Sequence, residues 1–243
     1  GTPAWARKAV PLNSGSDIWA PDVIFNNGLY YMYYAICGGK ACATGLITSP
    51  TLNQSAPNYK WTDRGEVIGN TATQPLGMID PAPYFDASGN MWLSVGSGYC
   101  CKATAPEIFE VRLNKNTGLR SDNVMHAVEN GRIEASYVYY HKGYYFLFWN
   151  SGGCCSGASS TYVIHVARST SPAGPYVDKN GKQHSSSIFV ASHGGIHGPG
   201  QIGILDMGGT SYYSYHYYPN SGGSVLGIGT LTWGSDGWPI AGA

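Results

Sequence analysis

Charge is scarce in this sequence. Of 243 residues only 12% are Asp, Glu, Lys or Arg, and 14 acidic side chains balance 14 basic ones. Without a basic run, nothing in the chain tracks phosphate or an anionic bilayer, so nucleic acid and membrane surfaces are excluded as partners. Long apolar runs are missing too, and none approaches the roughly 20 residues that span a bilayer. No stretch keeps a 3.6-residue apolar period, so helices should be negligible. No leader is visible: the chain opens Gly1-Thr2-Pro3-Ala4-Trp5, as a mature or trimmed secreted chain would.

What is present points to an all-β protein. The 34 glycines supply tight turns, and the 19 tyrosines suit half-buried strands. Tyr and Trp rings also stack on the C–H faces of sugars. Six cysteines fall in three pairs, Cys37 with Cys42, Cys100 with Cys101, and Cys154 with Cys155. An even count fits an oxidising, extracellular compartment, although sequence alone leaves the connectivity open. A zinc site is the weaker reading, because no Cys-x2-Cys or Cys-x2-His spacing occurs. Asn53-Gln54-Ser55 is a glycosylation sequon, of consequence only in a eukaryotic host.

Four segments repeat at intervals of roughly 55–65 residues, the range of propellers and other arrays. They begin at Ile18-Trp19-Ala20-Pro21, Ile79-Asp80-Pro81, Ile133-Glu134-Ala135-Ser136 and Ile196-His197-Gly198-Pro199. Each reads as strand, turn, strand, with turns at Asn26-Asn27-Gly28, Asp86 to Asn90, His141-Lys142-Gly143 and near Gly208-Gly209; this is the β-hairpin pattern. Ile108 to Val111 and Val163 to Ala167 follow as further strands. A four-stranded sheet per repeat makes a propeller blade. The expectation is one β-propeller domain over residues 1–243, with four recognisable blades.

The residue after each leading Ile is Trp19, Asp80, Glu134 or His197. Innermost strands of a propeller surround a central channel, so equivalent positions should converge there. Each acid taken alone is more commonly a turn cap or an ion-pair partner. An aromatic, two acids and an imidazole in register point instead to a site. Two carboxyls in a sugar-stacking pocket suit glycoside hydrolysis, one donating a proton to the leaving oxygen and the other activating water or attacking carbon. Glu134 has apolar or small neighbours, so burial should raise its pKa, and a nearby carboxylate should raise it further. Asp80 precedes Pro81, which fixes its direction. Gly198-Pro199-Gly200-Gln201-Ile202-Gly203 matches a dinucleotide-binding pattern, but strand sequence follows where a helix is required.

These motifs carry a family resemblance. Trp19-Ala20-Pro21-Asp22, Ile79-Asp80-Pro81, Ile133-Glu134-Ala135-Ser136, His197-Gly198-Pro199-Gly200, Leu231-Thr232-Trp233 and Asp236-Gly237-Trp238-Pro239 cover nearly the whole chain. In that order the sequence resembles glycoside hydrolase family 43, especially its endo-1,5-α-L-arabinanase branch. The resemblance implies a five-bladed propeller and hydrolysis of arabinan, a plant cell-wall polysaccharide, with inversion. Glu134 would be the general acid, and Asp80 would orient it and raise its pKa. Trp19 would line the substrate cleft, with Asn150 and Tyr137 as further substrate contacts. His197 would lie near a calcium or similar, largely hydrated ion, with no organic cofactor.

The family's general base is an Asp on a first blade, expected roughly 40–60 residues before Trp19 by the repeat spacing. Only 18 residues precede Trp19, and Asp17 is the sole acid among them. Asp17 belongs to the Trp19 blade, and Asp22 aligns with Pro83. The expectation is therefore a propeller lacking its first blade and base. Three explanations stand at this point: a fragment, a four-bladed variant with a base from a dimer partner or companion chain, or a lectin-like sugar-binding module. An exo-acting arabinofuranosidase or xylosidase is the alternative within the enzyme class.

Overall fold

Two-residue turns shape the chain first. In the computed structural model, which describes residues 2–13, 15, 17–39, 41–69, 77–97 and 107–242, three hairpins close through pairs of left-handed residues. Asn27 and Gly28 have φ of 49° and 77°, Lys142 and Gly143 44° and 89°, and Gly208 and Gly209 60° and 81°. Paired positive φ values define the turn whose twist matches that of adjoining strands, so the Asn-Gly and Lys-Gly signals act locally, ahead of any packing.

The strands form four four-stranded antiparallel sheets, each a meander in chain order and each the form of a propeller blade. The first holds β1 (Ile18–Asn26), β2 (Leu29–Gly38), β3 (Ala41–Ser49) and β4 (Thr62–Gly69). The second holds β5 (Ala82–Phe85), β6 (Met91–Val95), β7 (Glu107–Leu113) and β8 (His126–Asn130). The third holds β9 (Ile133–His141), β10 (Tyr144–Ser151), β11 (Val163–Ser169) and β12 (Ser187–Val190). The fourth holds β13 (His197–Met207), β14 (Thr210–Tyr218), β15 (Val225–Trp233) and β16 (Pro239–Ala241). Among the described residues helix is confined to α1 (Ala6–Ala9) and a 3₁₀ turn at Gly157–Ser159.

The chain divides into two compact units, residues 1–134 and 135–243. In the first, alternation along β2 sends Tyr31 and Tyr33 into a core with Leu46, Met91, Leu93 and Val111. Tyr34 and Ile36 face the other way and are covered by Ala6 and Val10 of the N-terminal segment. Period-two alternation with both faces covered explains why β2 is apolar nearly throughout. Cys37 and Cys42 face each other across β2 and β3 and are joined by a disulfide. The second unit packs Phe146, Phe148, Ile164 and Val166 of its first sheet against Tyr213, Tyr215 and Leu231 of its second. Cys154 and Cys155 form a vicinal disulfide in this unit. Cys100 and Cys101 lie outside the described residues.

Candidate active site

Each sheet has a left-handed residue at or just ahead of the start of its first strand. Ala20, Asp80, Ala135 and Gly198 have φ of 45°, 54°, 57° and 53°. In β1 and β13 the pairing register slips at this point, between Trp19 and Asp22 and between His197 and Gly200, which marks a β-bulge that re-aims the neighbouring side chains. The bulge corrects the alignment drawn from the sequence. Trp19, Glu134 and His197 each precede the left-handed residue, whereas Asp80 is itself left-handed. Asp80 is therefore equivalent to Ala20, Ala135 and Gly198, and Ile79 to the three functional candidates. Likewise Asp22 falls opposite Ala82, not Pro83. A non-glycine residue held at positive φ costs about 1–3 kcal/mol and persists where surrounding structure enforces it, commonly at functional sites.

Glu134 and Asp80 belong to the first unit. Asp80 is buried, and its strand entry is anchored by Gly96 N–H donating to the Ile79 carbonyl at 3.0 Å. Glu134, half-buried as the second residue of β9, accepts a hydrogen bond from Ser97 Oγ at Oε2, 2.9 Å away. Desolvation raises the Glu134 pKa above the ordinary carboxylate range, and the Ser97 hydrogen bond partly opposes it. Ser97 was not recognised in the sequence. It lies two residues beyond β6 and is itself buried, and a lone serine in a Gly-Ser segment gives little signal.

Trp19 sits on β1 opposite Ala35 and keeps 43% of its surface exposed, so an aromatic face is open to a ligand. Asn150 and Tyr137, expected as substrate contacts, are placed otherwise in the second unit. Asn150 is fully buried. Its Nδ2 donates to the carbonyls of Val163 and Pro199 at 3.2 and 3.1 Å, and its Oδ1 accepts from Gln201 N–H at 3.0 Å. It braces β10 against the bulged part of β13. Tyr137 spends its hydroxyl on the Ile204 carbonyl at 3.0 Å.

His197 starts β13 opposite Tyr218. Its Nε2 lies 2.7 Å from Asn220 Oδ1, which makes Nε2 the donor. Tyr218 in turn accepts Cys155 N–H at its hydroxyl, at 2.9 Å, so the disulfide loop and the His197 strand share one anchor. Gly198 is required here, because a Cβ would lie 2.6 Å from Ser160 Cβ. Among the described residues no group of three or more His, Cys, Asp or Glu side chains is placed to hold a metal ion. With Nε2 engaged by a neutral amide, these residues do not fit a protein-built calcium site, and no chemistry is routed through one.

A half-buried carboxyl whose pKa is raised by desolvation, a buried acid two residues ahead of a strand and an exposed indole suit proton donation to a sugar-like leaving group. Comparisons with known proteins agree. The model for glycosyl hydrolases family 43 matches residues 1–239. An extracellular exo-α-(1→5)-L-arabinofuranosidase of Cellvibrio japonicus is 31% identical over 98% of this chain and 73% of its own length. An extracellular endo-α-(1→5)-L-arabinanase of Bacillus subtilis is 33% identical over 97% of this chain and 72% of its own length. The solved structure of Cellvibrio cellulosa α-L-arabinanase complexed with arabinohexaose superposes with a TM-score of 0.89, at 28% identity, covering 99% of this chain and 81% of that one.

Proposed function

The chain belongs to the glycosyl hydrolases of family 43, and we propose that it hydrolyses α-1,5-linked L-arabinan with inversion, Glu134 acting as the general acid. The carrying observation is the half-buried Glu134 carboxyl, raised in pKa by desolvation and held through Oε2 by Ser97. The proton to be donated is held by the Glu134 carboxyl. It passes to the glycosidic oxygen as the bond to the anomeric carbon breaks, and the electron pair of that bond leaves with the oxygen. Water attacks the same carbon from the opposite face and gives its proton to a carboxylate. That base is assigned to no described residue.

Asp80 is the positioning acid in this reading, its direction fixed by the left-handed backbone and by Pro81. Trp19 offers an open aromatic face on which a furanose ring can stack. Relatives named for exo and for endo cleavage match about equally, so the proposal concerns the linkage, and product analysis sets the cleavage mode. We place the enzyme outside the cell. The Cys37–Cys42 and Cys154–Cys155 disulfides support an oxidising compartment, as do the extracellular relatives.

The test is release of reducing sugar from linear arabinan by the parent and by Glu134→Gln. Turnover by the parent and a loss of about 10²–10⁴-fold in the variant are expected for removal of a general acid. Equal rates in the two proteins would remove Glu134 from the role. Arabinan binding without release by either would make the chain a sugar-binding module.

A further inference from the structure

A polar cavity lies in the first unit, away from the candidate active site. Trp19 stands near the start of β1, and Leu29, which pairs with Asn26, follows the turn at its end. At about 3.3 Å per residue the two ends are roughly 20 Å apart. At the Leu29 end the first and second sheets, which share a core, enclose about 410 Å³. One wall comes from β2, β3 and β4, and the other from the loop after β7. That volume is within the range of small-ligand pockets.

The loop after β7 is fastened to the first sheet by its carbonyls. Asn26 Nδ2 donates to the Lys115 carbonyl at 2.6 Å, the Tyr31 hydroxyl to that of Asn116 at 3.4 Å and the Tyr33 hydroxyl to that of Gly118 at 2.8 Å. Gly118 is left-handed, with φ of 73°, and a Cβ there would fall 2.6 Å from the Tyr31 ring. Only glycine lets the loop come this close. With these carbonyls spent on the sheet, the loop offers the cavity its side chains, and the wall is built before any ligand arrives.

Hydrogen-bond donors dominate the walls. Arg64 Nε donates to Thr48 Oγ1 at 2.8 Å, which holds the guanidinium and leaves its two Nη groups for a ligand. Thr48 Oγ1 accepts that bond, and Thr117 Oγ1 accepts Leu119 N–H at 3.3 Å, so both hydroxyl hydrogens remain to be donated. The Asn116 amide adds further N–H groups at the same cavity. A guanidinium fork matches a carboxylate with two parallel bonds. Asp63 differs: its Oδ1 accepts Trp5 Nε1 at 3.3 Å and Gly65 N–H at 3.0 Å, and its Oδ2 can accept from a hydroxyl. Leu29 and Leu119 supply apolar surface for C–H groups. A bare inorganic anion would meet the Asp63 charge without using it, whereas a sugar acid brings one carboxylate together with hydroxyls.

We propose that this cavity is a second carbohydrate site, one that takes a hexuronate residue. Arg64 holds the carboxylate, Asp63 and Asn116 the hydroxyls, and Leu29 and Leu119 one face of the ring. The site works by binding alone, so it stands or falls apart from turnover at Glu134.

Isothermal titration tests this with glucuronate and galacturonate, with glucose and galactose as their uncharged counterparts, and with sulfate, on the parent and on Arg64→Gln. The parent should bind a uronate with a Kd on the order of 1 mM or below, at least about ten-fold more tightly than the matching hexose or sulfate. Arg64→Gln, with unchanged circular dichroism, should lose about ten-fold or more of that affinity, as expected for hydrogen bonds to a charged group. Uronate binding no tighter than hexose binding overturns the proposal. So does sulfate binding as tight as uronate, which would make the cavity a simple anion site, and so does a folded Arg64→Gln that binds undiminished. The parent's preference for uronate over hexose needs no variant, so misfolding of Arg64→Gln leaves the test intact.

Discussion

At the scale of single residues, burial decides which carboxyls keep their protons. Glu110 on β7 is fully enclosed. Tyr84 donates to its Oε2 at 2.8 Å, while Oε1 has no partner. Desolvation pushes its pKa up to about 8, against the hydrogen bonds from Ser94 and Tyr84. A carboxyl with a folded pKa above its unfolded value stabilises the fold fully at acid pH, and this contribution is lost as pH rises through the folded value. Glu110→Gln keeps the shape and removes the titration. Between pH 5 and 9 the parent should lose on the order of 3–5 kcal/mol relative to the variant, read as the difference of their melting temperatures; parallel curves would rule this out. Glu134 follows the same physics with a different outcome, since it is only half-buried and Ser97 favours its anion. Ser97→Ala should therefore raise the Glu134 pKa and move the alkaline limb of the pH–rate profile on arabinan upward. A limb that stays or moves down would separate Ser97 from the acid. Glu134 was legible in the sequence because a motif surrounds it, whereas Ser97 acts through a contact 37 residues away that no local pattern encodes.

At the scale of elements, what was legible is what the chain settles locally. The Asn27-Gly28 and Lys142-Gly143 turns dictate their own backbone, and the flanking hairpins follow. The outer strands were expected as the fourth of each sheet but could not be positioned, because β12 and β16 have four and three residues and β4 carries Asp63, Arg64 and Glu66 within eight; they exist through pairing with the strand before them. The one-residue error at Asp80 has a similar origin. A bulge adds a residue without changing composition, so the shared Ile is a poorer anchor than the left-handed position. Asn150, expected from the family resemblance as a substrate contact, has surroundings that also make it a brace. Asn150→Ala would remove the hydrogen bonds its side chain makes to Gln201 N–H and to the Val163 and Pro199 carbonyls, a loss of about 1–3 kcal/mol. A melting temperature lower by roughly 3–10 °C is expected for a chain of this length, with the KM for arabinan changed less than about two-fold in the folded fraction. A raised KM at unaltered stability would restore Asn150 to the substrate site.

At the scale of the whole molecule, the scarcity of charge bears on how substrate is met. Fourteen acidic and fourteen basic side chains in 243 residues give no net charge, and the Lys179–Asp236 pair, 3.4 Å apart, lies at the surface. Arabinan is uncharged, so neither partner supplies the long-range field that accelerates encounter between opposite charges. Recognition then rests on ring stacking at faces such as Trp19 and on short hydrogen bonds. Salt screens charged contacts over a Debye length that shrinks from about 10 Å at 0.1 M to about 3 Å at 1 M, and it leaves stacking almost untouched. Across that range kcat/KM on linear arabinan should change by less than about two-fold, because no charge pair forms between enzyme and polymer. A ten-fold or larger fall would show that a charged group outside the pairs described here takes part in binding, and would direct attention from the aromatic face to the carboxylates around Glu134.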